Sequence, residues 1–399
     1  MNRFLENQVQ SDCCGCSSCV EVCPKGCLTI RKNGDGIIVP IIANKESCIE
    51  CGLCSKVCPV ENVFKTSYSN TYYGAYNDIP EDINNSSSGG VFPILARWVI
   101  EQGGVVYGAY LDEKHDLYHI KITDAKDINK LQSSKYFQSE IRDTYKTCKA
   151  DLQEGRLVLF TGTPCQVQGL KLFLRKDYEN LLTADVICHG VPSKKMFDAY
   201  VSFLENKHNG KLVDINFRDK KRNGWSITLR YTMEYTNGKR KDYYLISKLS
   251  EYFVAFLSGS IARESCYTCQ YSSMNRPGDI TMGDFWGYQK KRPDLRHDKG
   301  LSLIISNSAK GEKIINELRN LGVCFIEVDE ECVKASENKN LYFPTKRPVI
   351  RDCVYVELEQ SGFEYIARRY FRKTQTLRNK LKNYLPPVVV RILKIAGRG

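Results

Sequence analysis

Eight of the ten cysteines in the first sixty residues set the terms on which this chain can fold. Cys13-x2-Cys16-x2-Cys19-x3-Cys23-Pro24 recurs as Cys48-x2-Cys51-x2-Cys54-x3-Cys58-Pro59, each cysteine of the second copy 35 positions after its counterpart. Three thiolates at intervals of three wrap a short loop around a cubane, and the fourth, one residue further on and followed by proline, points at the other cluster. The spacing therefore assigns one 4Fe–4S cluster to Cys13, Cys16, Cys19 and Cys58, and a second to Cys48, Cys51, Cys54 and Cys23. Two zinc knuckles would leave the register of the repeat and its prolines without a reason. Cys14 and Cys27 fall outside the pattern and read as packing residues.

Eighteen cysteines in 399 residues mean metal or disulfides. The start, MNRFLENQVQSDCC, has no apolar signal core, and no run of about 18 apolar residues occurs anywhere. The expectation is a cytoplasmic chain with reduced thiols, whose cysteines serve as ligands. Five histidines are too few for a histidine-rich metal site. The net charge of +12 is concentrated: Tyr365 to Gly399 holds ten Lys or Arg and no Asp or Glu, leaving 48 basic against 46 acidic residues elsewhere.

After Pro59 a polar stretch reads as a linker and a first short strand. SSSGGVFPILARWVIEQGG then predicts a helix, with Val91, Leu95, Trp98 and Val99 on one face and Gly103-Gly104 at its end. A serine–glycine start leaves free N–H groups, which suits a phosphate or an ordinary cap. VVYGAYLDEKHDLYHIKI predicts a hairpin. LVLFTGTPCQ, LLTADVICHGVPS and DITMGDFWG share one form, an apolar strand ending in an abrupt turn, and such strand ends are where α/β folds assemble sites. Cys165 and Cys188 sit on two of these turns, and Cys266-x2-Cys269 has ligand spacing. Four thiolates could hold a third cluster; a Cys3His zinc site using His189 is the rival, and spacing leaves both open. Cys148, Cys324, Cys332 and Cys353 lack ligand spacing and read as small buried hydrophobes.

SSSGGVF, GGVVYGA, QSSKYFQS, LFTGTPCQVQGLK, DVICHGVPS, SCYTCQYS and DITMGDFWG, in that order over roughly residues 70 to 310, make the chain resemble the family of coenzyme F-420 hydrogenase/dehydrogenase beta subunits, with a fused dicluster ferredoxin domain. It is similar in the same way to the 7-hydroxymethyl chlorophyll a reductases. The resemblance implies a noncovalent FAD and a further 4Fe–4S cluster on Cys165, Cys188, Cys266 and Cys269. It implies that Ser88, Gly89, Gly90, Ser134, Lys135, Tyr136, Gly162 and Thr163 lie against the FAD. Lys135 would stabilise the anionic reduced flavin by charge, His189 would donate a proton to substrate or be a backbone-bonded buried histidine, and Asp284 and Trp286 would line the same pocket.

The expected fold is α+β: a dicluster ferredoxin domain (1–65), a mixed α/β flavin domain in two parts (66–155 and 156–345), and a basic helical tail (346–399). The expected function is an iron–sulfur flavoprotein oxidoreductase that carries electrons from a ferredoxin-like one-electron donor to an organic acceptor, a small molecule or lipid-linked glycan precursor. The alternative is the electron-transfer beta subunit of a larger hydrogenase- or dehydrogenase-type complex. The tail carries Phe363, Ile366, Ala367, Tyr370, Leu377, Leu381 and Tyr384 at helical intervals among basic residues, followed by VVVRILKIA. That pattern suits peripheral attachment to an anionic membrane face, or packing on its own domain. Nucleic acid is not expected as a partner.

Overall fold

An eight-stranded mixed sheet organises the larger part of the chain in the computed structural model, which describes residues 11–295, 297–385 and 389. Ahead of it lies the cysteine-rich unit, where β1 (Leu28–Lys32) pairs antiparallel with β2 (Ile38–Ile42) between the short helices Ser18–Val22 and Leu53–Lys56. The strands of the large sheet are β3 (Thr71–Tyr76), β4 (Val105–Leu111), β5 (Leu117–Ile122), β6 (Val158–Gly162), β7 (Leu181–Val186), β11 (Ile280–Asp284), β12 (Ser302–Ser306) and β13 (Cys324–Val328). Their order is β13-β3-β12-β11-β7-β6-β4-β5. Its centre, β11-β7-β6-β4, is parallel, and both flanks are antiparallel. The remaining strands, β8 (Lys211–Asn216), β9 (Thr228–Glu234) and β10 (Arg240–Ile246), form a separate antiparallel sheet.

A parallel centre requires cover on both faces, and β6 shows how it is met. Leu159 packs in a cluster with Leu95 and Val99 of the helix Val91–Glu101 and with Ile314 and Leu318 of the helix Ala309–Asn320. Val158 and Phe160 point the other way, toward Tyr145, Leu152, Val167 and Leu170. The strand–turn segments expected to assemble a site do so, because β6, β7 and β11 end on the same edge and deliver Gly162–Cys165, Cys188–His189 and Asp284–Trp286 there. The β4–β5 hairpin is also as expected.

The tail departs from its expected single helix. The helix Arg351–Ile366 is interrupted at Gly362 (φ 76°), continues in a wider turn to Phe371, and stops before a separate helix, Leu377–Tyr384. Phe363, Ile366 and Ala367 are buried against Tyr200 and Phe203 in the core beside the small sheet. Leu377, Leu381 and Tyr384 are instead exposed. The last helix is held to the body by a polar contact: Asn383 Nδ2 donates to the Tyr244 carbonyl at 2.8 Å, and the Ile246 amide donates to its Oδ1 at 3.0 Å. Most of VVVRILKIA lies outside the described residues.

Candidate functional site

All eighteen cysteines are unbridged, and twelve of them gather into three sets. Burial, and then the nearby thiols of Cys13 and Cys58, push the Cys19 thiol up, and Cys16 feels Cys19 and Cys58 in the same way. This is the first set as the spacing assigned it. Cys23, Cys48, Cys51 and Cys54 line one cavity with Pro24, Leu28, Ile42 and Leu53, which is the second set. In the third, burial and then Cys188 raise the Cys266 thiol, with Cys269 and Cys165 adding to it, and Cys188 is pushed up to about 12 by burial and then Cys165. Mutual repulsion of buried thiols is the signature of a ligand set waiting for positive charge. Amide donors to sulfur, from Gly15 to Cys13, Cys27 to Cys23 and Gly190 to Cys188 (3.3–3.4 Å), are the contacts that tune iron–sulfur groups.

The side-chain positions fit three cubanes better than a Cys3His ion site. The charges that the His189 ring feels are those of Asp284 and Arg218, so it turns from the thiols. Among the described residues no three His, Cys, Asp or Glu side chains close on a single ion. Cys14 is more than a packing residue, since its thiol hydrogen-bonds to both Cys16 and Cys165 and so spans the first and third sets. Cys148 and Cys332 are buried as expected, whereas Cys324 is half-buried and Cys353 exposed.

Beside the third set lies a polar pocket. Ser88 Oγ donates to the Leu301 carbonyl at 2.7 Å, and the Gly89 amide donates to Ser302 Oγ at 2.9 Å. A Cβ on Gly89 would sit 2.2 Å from the Ala75 carbonyl oxygen, so only glycine lets this loop lie on β3. Ser88 and Gly89 are thus pinned to the sheet, and Gly90 caps the helix Val91–Glu101 in the left-handed region, leaving that helix start to face a ligand. Ser134 joins the loop through its amide and hydroxyl, each 2.9 Å from Ser87 Oγ. At Gly162–Thr163 the backbone is held by Gln166, whose Oε1 accepts from the Thr163 amide and hydroxyl at 3.0 Å.

The charged residues of this pocket came only partly from sequence. Lys135 donates to the carbonyls of Lys130 and Gln132, and Lys220 to those of Ile83 and Ser88. Neither has an ion-pair partner among the described residues, and burial brings both down to about 7. Two desolvated cations without carboxylates fit a phosphate-bearing cofactor such as FAD, whose charge would restore theirs. Arg218 spans the pocket: its guanidinium forks onto Asp284 (2.6 and 2.9 Å) and reaches Tyr136 Oη (3.1 Å) and the Ser87 carbonyl (3.0 Å). Trp225 donates to Asp284 at 2.8 Å and stacks on Trp286 with centroids 4.0 Å apart. His189 is exposed on the same side, so it is not a buried backbone-bonded histidine. Arg218, Lys220 and Trp225 were missed; their segment, FRDKKRNGWS, looks like a solvated basic loop, and the only local hint is a tryptophan inside it.

Beneath the Gly162 turn, His119 is buried (4% exposed). Its Nε2 lies 3.0 Å from the Thr161 carbonyl, which can only accept, so Nε2 carries the proton and Nδ1 accepts from Ser139 Oγ at 2.8 Å. Burial lowers it to about 4. Because the unfolded chain takes up this proton near its ordinary value of 6.5, stability is unaffected above that pH and declines as the pH falls from there toward 4. Between pH 7.5 and 5 the wild type is expected to lose about 2 kcal/mol more than His119→Gln, measured by denaturant unfolding at each pH.

Residues 155–331 match the family model for the C terminus of the coenzyme F420 hydrogenase/dehydrogenase beta subunit, and residues 12–63 match that of a 4Fe-4S dicluster domain. The coenzyme F420-dependent sulfite reductase of Methanocaldococcus jannaschii is 25% identical over 358 residues, 83% of this chain and 49% of that protein. One subunit of the F(420)H(2) dehydrogenase of Methanosarcina mazei is 23% identical over 290 residues, 69% of this chain and 76% of that one. The chain thus spans about half the length of the sulfite reductase. A chain of the xenon-derivatised F420-reducing NiFe hydrogenase complex from Methanosarcina barkeri superposes at a TM-score of 0.45 and 16% identity, covering 68% of this chain and 89% of that one. The present chain joins a dicluster ferredoxin domain to a C-terminal domain of the beta-subunit type, and is an iron–sulfur electron-transfer chain of the oxidoreductase class.

Proposed function

We propose that this chain is the electron-transfer module of a larger redox assembly, holding three 4Fe–4S clusters and FAD, with its final acceptor on a partner. The observation that carries this reading is the contact chain Cys16–Cys14–Cys165, which brings the ferredoxin unit's thiols against those of the flavin domain. When bound, the clusters supply one-electron transfer and the flavin couples it to two-electron chemistry. The chain's own residues define two ends. At one, Cys51 and Ile49 (58% exposed) present the second thiol set to a one-electron donor. At the other, Lys135, Lys220 and Arg218 hold the anionic cofactor, while exposed His189 can pass a proton to whatever docks there. The Methanosarcina mazei relative is itself a subunit, and half of the sulfite reductase is unmatched; both support an acceptor elsewhere.

A second reading, a self-contained reductase of a small organic molecule, is favoured by the stacked Trp225–Trp286 pair, a half-buried aromatic face beside the pocket. One experiment separates them. Anaerobically purified chain is expected to carry about twelve irons and one FAD, and viologen should reduce its flavin rapidly without turnover of organic acceptors. Multiple turnover with a small acceptor and no second protein would establish the second reading. About eight irons would remove the third cluster from both.

The tail gives the module a place. Leu377, Leu381 and Tyr384 expose one apolar stripe, and Lys373, Arg378, Lys380 and Lys382 make no ion pair among the described residues. Apolar and cationic groups together, without acids, suit an anionic lipid surface. Flotation of the full chain with phosphatidylglycerol vesicles, and not with phosphatidylcholine alone, is expected, and Leu377→Asn/Leu381→Asn should abolish it. Equal flotation of that variant rules the stripe out.

A further inference from the structure

Arg263 sits three residues before Cys266, at the seam between the ferredoxin unit and the flavin domain. Its side chain is almost fully buried, 1% exposed. Nε donates to the Cys13 carbonyl, and Nη1 donates to Gln138 Oε1 at 2.9 Å. The same Cys13 carbonyl accepts from Ser265 Oγ at 3.0 Å, while Gln138 Nε2 reaches the carbonyls of Cys14 (3.3 Å) and Gly15 (3.2 Å). The loop that starts the first thiol set is therefore tied to the loop that carries half of the third. Gly15, at φ +68°, makes the approach possible: a Cβ there would lie 2.5 Å from both Arg263 Nη1 and Gln138 Nε2.

Two features of this guanidinium have no structural purpose in the chain alone. Nη2 is buried and has no hydrogen-bond partner among the described residues. No carboxylate among them pairs with its charge either, although buried cations are otherwise matched in this protein, as Arg218 is by Asp284 and Arg276 by Asp185. An unmatched buried guanidinium is costly. The thiol on which its charge acts is Cys165, in the third set.

We propose that Arg263 is the counter-charge of the iron–sulfur group held by Cys165, Cys188, Cys266 and Cys269, donating from Nη2 to its sulfur and raising its reduction potential relative to the first cluster. It is a positioning residue: it touches the Cys13 loop and the cluster's sulfur, and acts on electron partition through charge. A fixed positive charge favours the reduced, more negative cluster, so electrons leaving the ferredoxin unit are drawn inward. The inference rests on the three-cluster reading above.

The test is an EPR-monitored redox titration of the anaerobic full-length chain as wild type, Arg263→Gln and Arg263→Lys. In Arg263→Gln, electron occupancy of the interior cluster relative to the first is expected to fall at least tenfold, about 59 mV for one electron. Arg263→Lys, which keeps the charge and loses the fork, should fall between. Wild-type potentials in Arg263→Gln at full iron content overturn the proposal, as does a shift confined to the first cluster. Should Arg263→Gln lose the interior iron, Arg263→Lys decides, a wild-type midpoint there overturning it. Wild-type iron near eight per chain would instead sink the underlying reading, whatever the variants do.

Discussion

Arg276→Met is expected to destabilise the chain by about 3–5 kcal/mol, the usual cost of stranding one member of a buried ion pair. Arg276 and Asp185 are both essentially inaccessible, with side chains 1% and 0% exposed. The guanidinium donates twice to Asp185 Oδ1 (2.6 and 3.2 Å) and also to the carbonyls of Tyr271 (2.6 Å) and Val186 (2.8 Å). Asp185 ends β7, just before Cys188, while Tyr271 follows Cys269, so this pair clamps two ligand-bearing loops together. Asp185 also accepts from Thr281 Oγ1 (2.8 Å) and the Gly278 amide (2.9 Å). Asp185→Asn keeps acceptors for both while removing the charge. Arg276→Met/Asp185→Asn should therefore be more stable than Arg276→Met alone, and thermal unfolding of the three variants checks the order. A double variant as unstable as the single would show that the carbonyl contacts, not the stranded carboxylate, dominate.

The second large effect is at Arg218. Its planar fork serves Asp284, Tyr136 and Ser87 at once, a geometry that a single ammonium cannot reproduce. Arg218→Lys is expected to cost about 2–3 kcal/mol, below the Arg276 figure because Asp284 is 13% exposed and keeps the Trp225 indole N–H. It should also lower the flavin retained through gel filtration at least tenfold, since the Ser87–Gly89 loop loses its anchor. Asp284→Asn, which preserves the Trp225 contact, should retain more flavin than Arg218→Lys. Equal loss in both would mean that the charge pair matters more than the fork.

These two arginines mark where sequence reading stops. The cysteine repeat is legible because its chemistry is local: eight ligands within about four dozen positions, at intervals a cubane imposes. The β4–β5 hairpin and the helix Val91–Glu101 are legible for the same reason, their periodicity being complete within twenty residues. Gathering Cys165, Cys188, Cys266 and Cys269 needed a resemblance, because three separate loops meet only through the sheet. Arg218 and Lys220 read as a solvated basic run, and nothing local says that a loop of such composition is folded inward onto Ser87 and Ser88. The tail failed differently. A regular apolar spacing cannot tell that Phe363 and Ile366 turn to the core while Leu377 and Leu381 turn to solvent, because the break at Gly362 and the one before Leu377 reset the phase.

The position of β3 has a consequence for how the molecule is made. It follows the ferredoxin unit directly, yet its partners are β12 and β13, with Thr71 opposite Ser306 and Tyr76 opposite Cys324. Its backbone donors and acceptors must therefore wait for some 250 further residues, roughly 12–50 s of translation at the usual rate. Over that interval the eight ferredoxin thiols are outside the ribosome, while Gln138, Arg263 and Ser265, which later close over the Cys13 loop, are still arriving. Metallation of this chain is accordingly easiest while it is being synthesised, and a finished polypeptide stripped of iron should take the metal back more slowly than a nascent one.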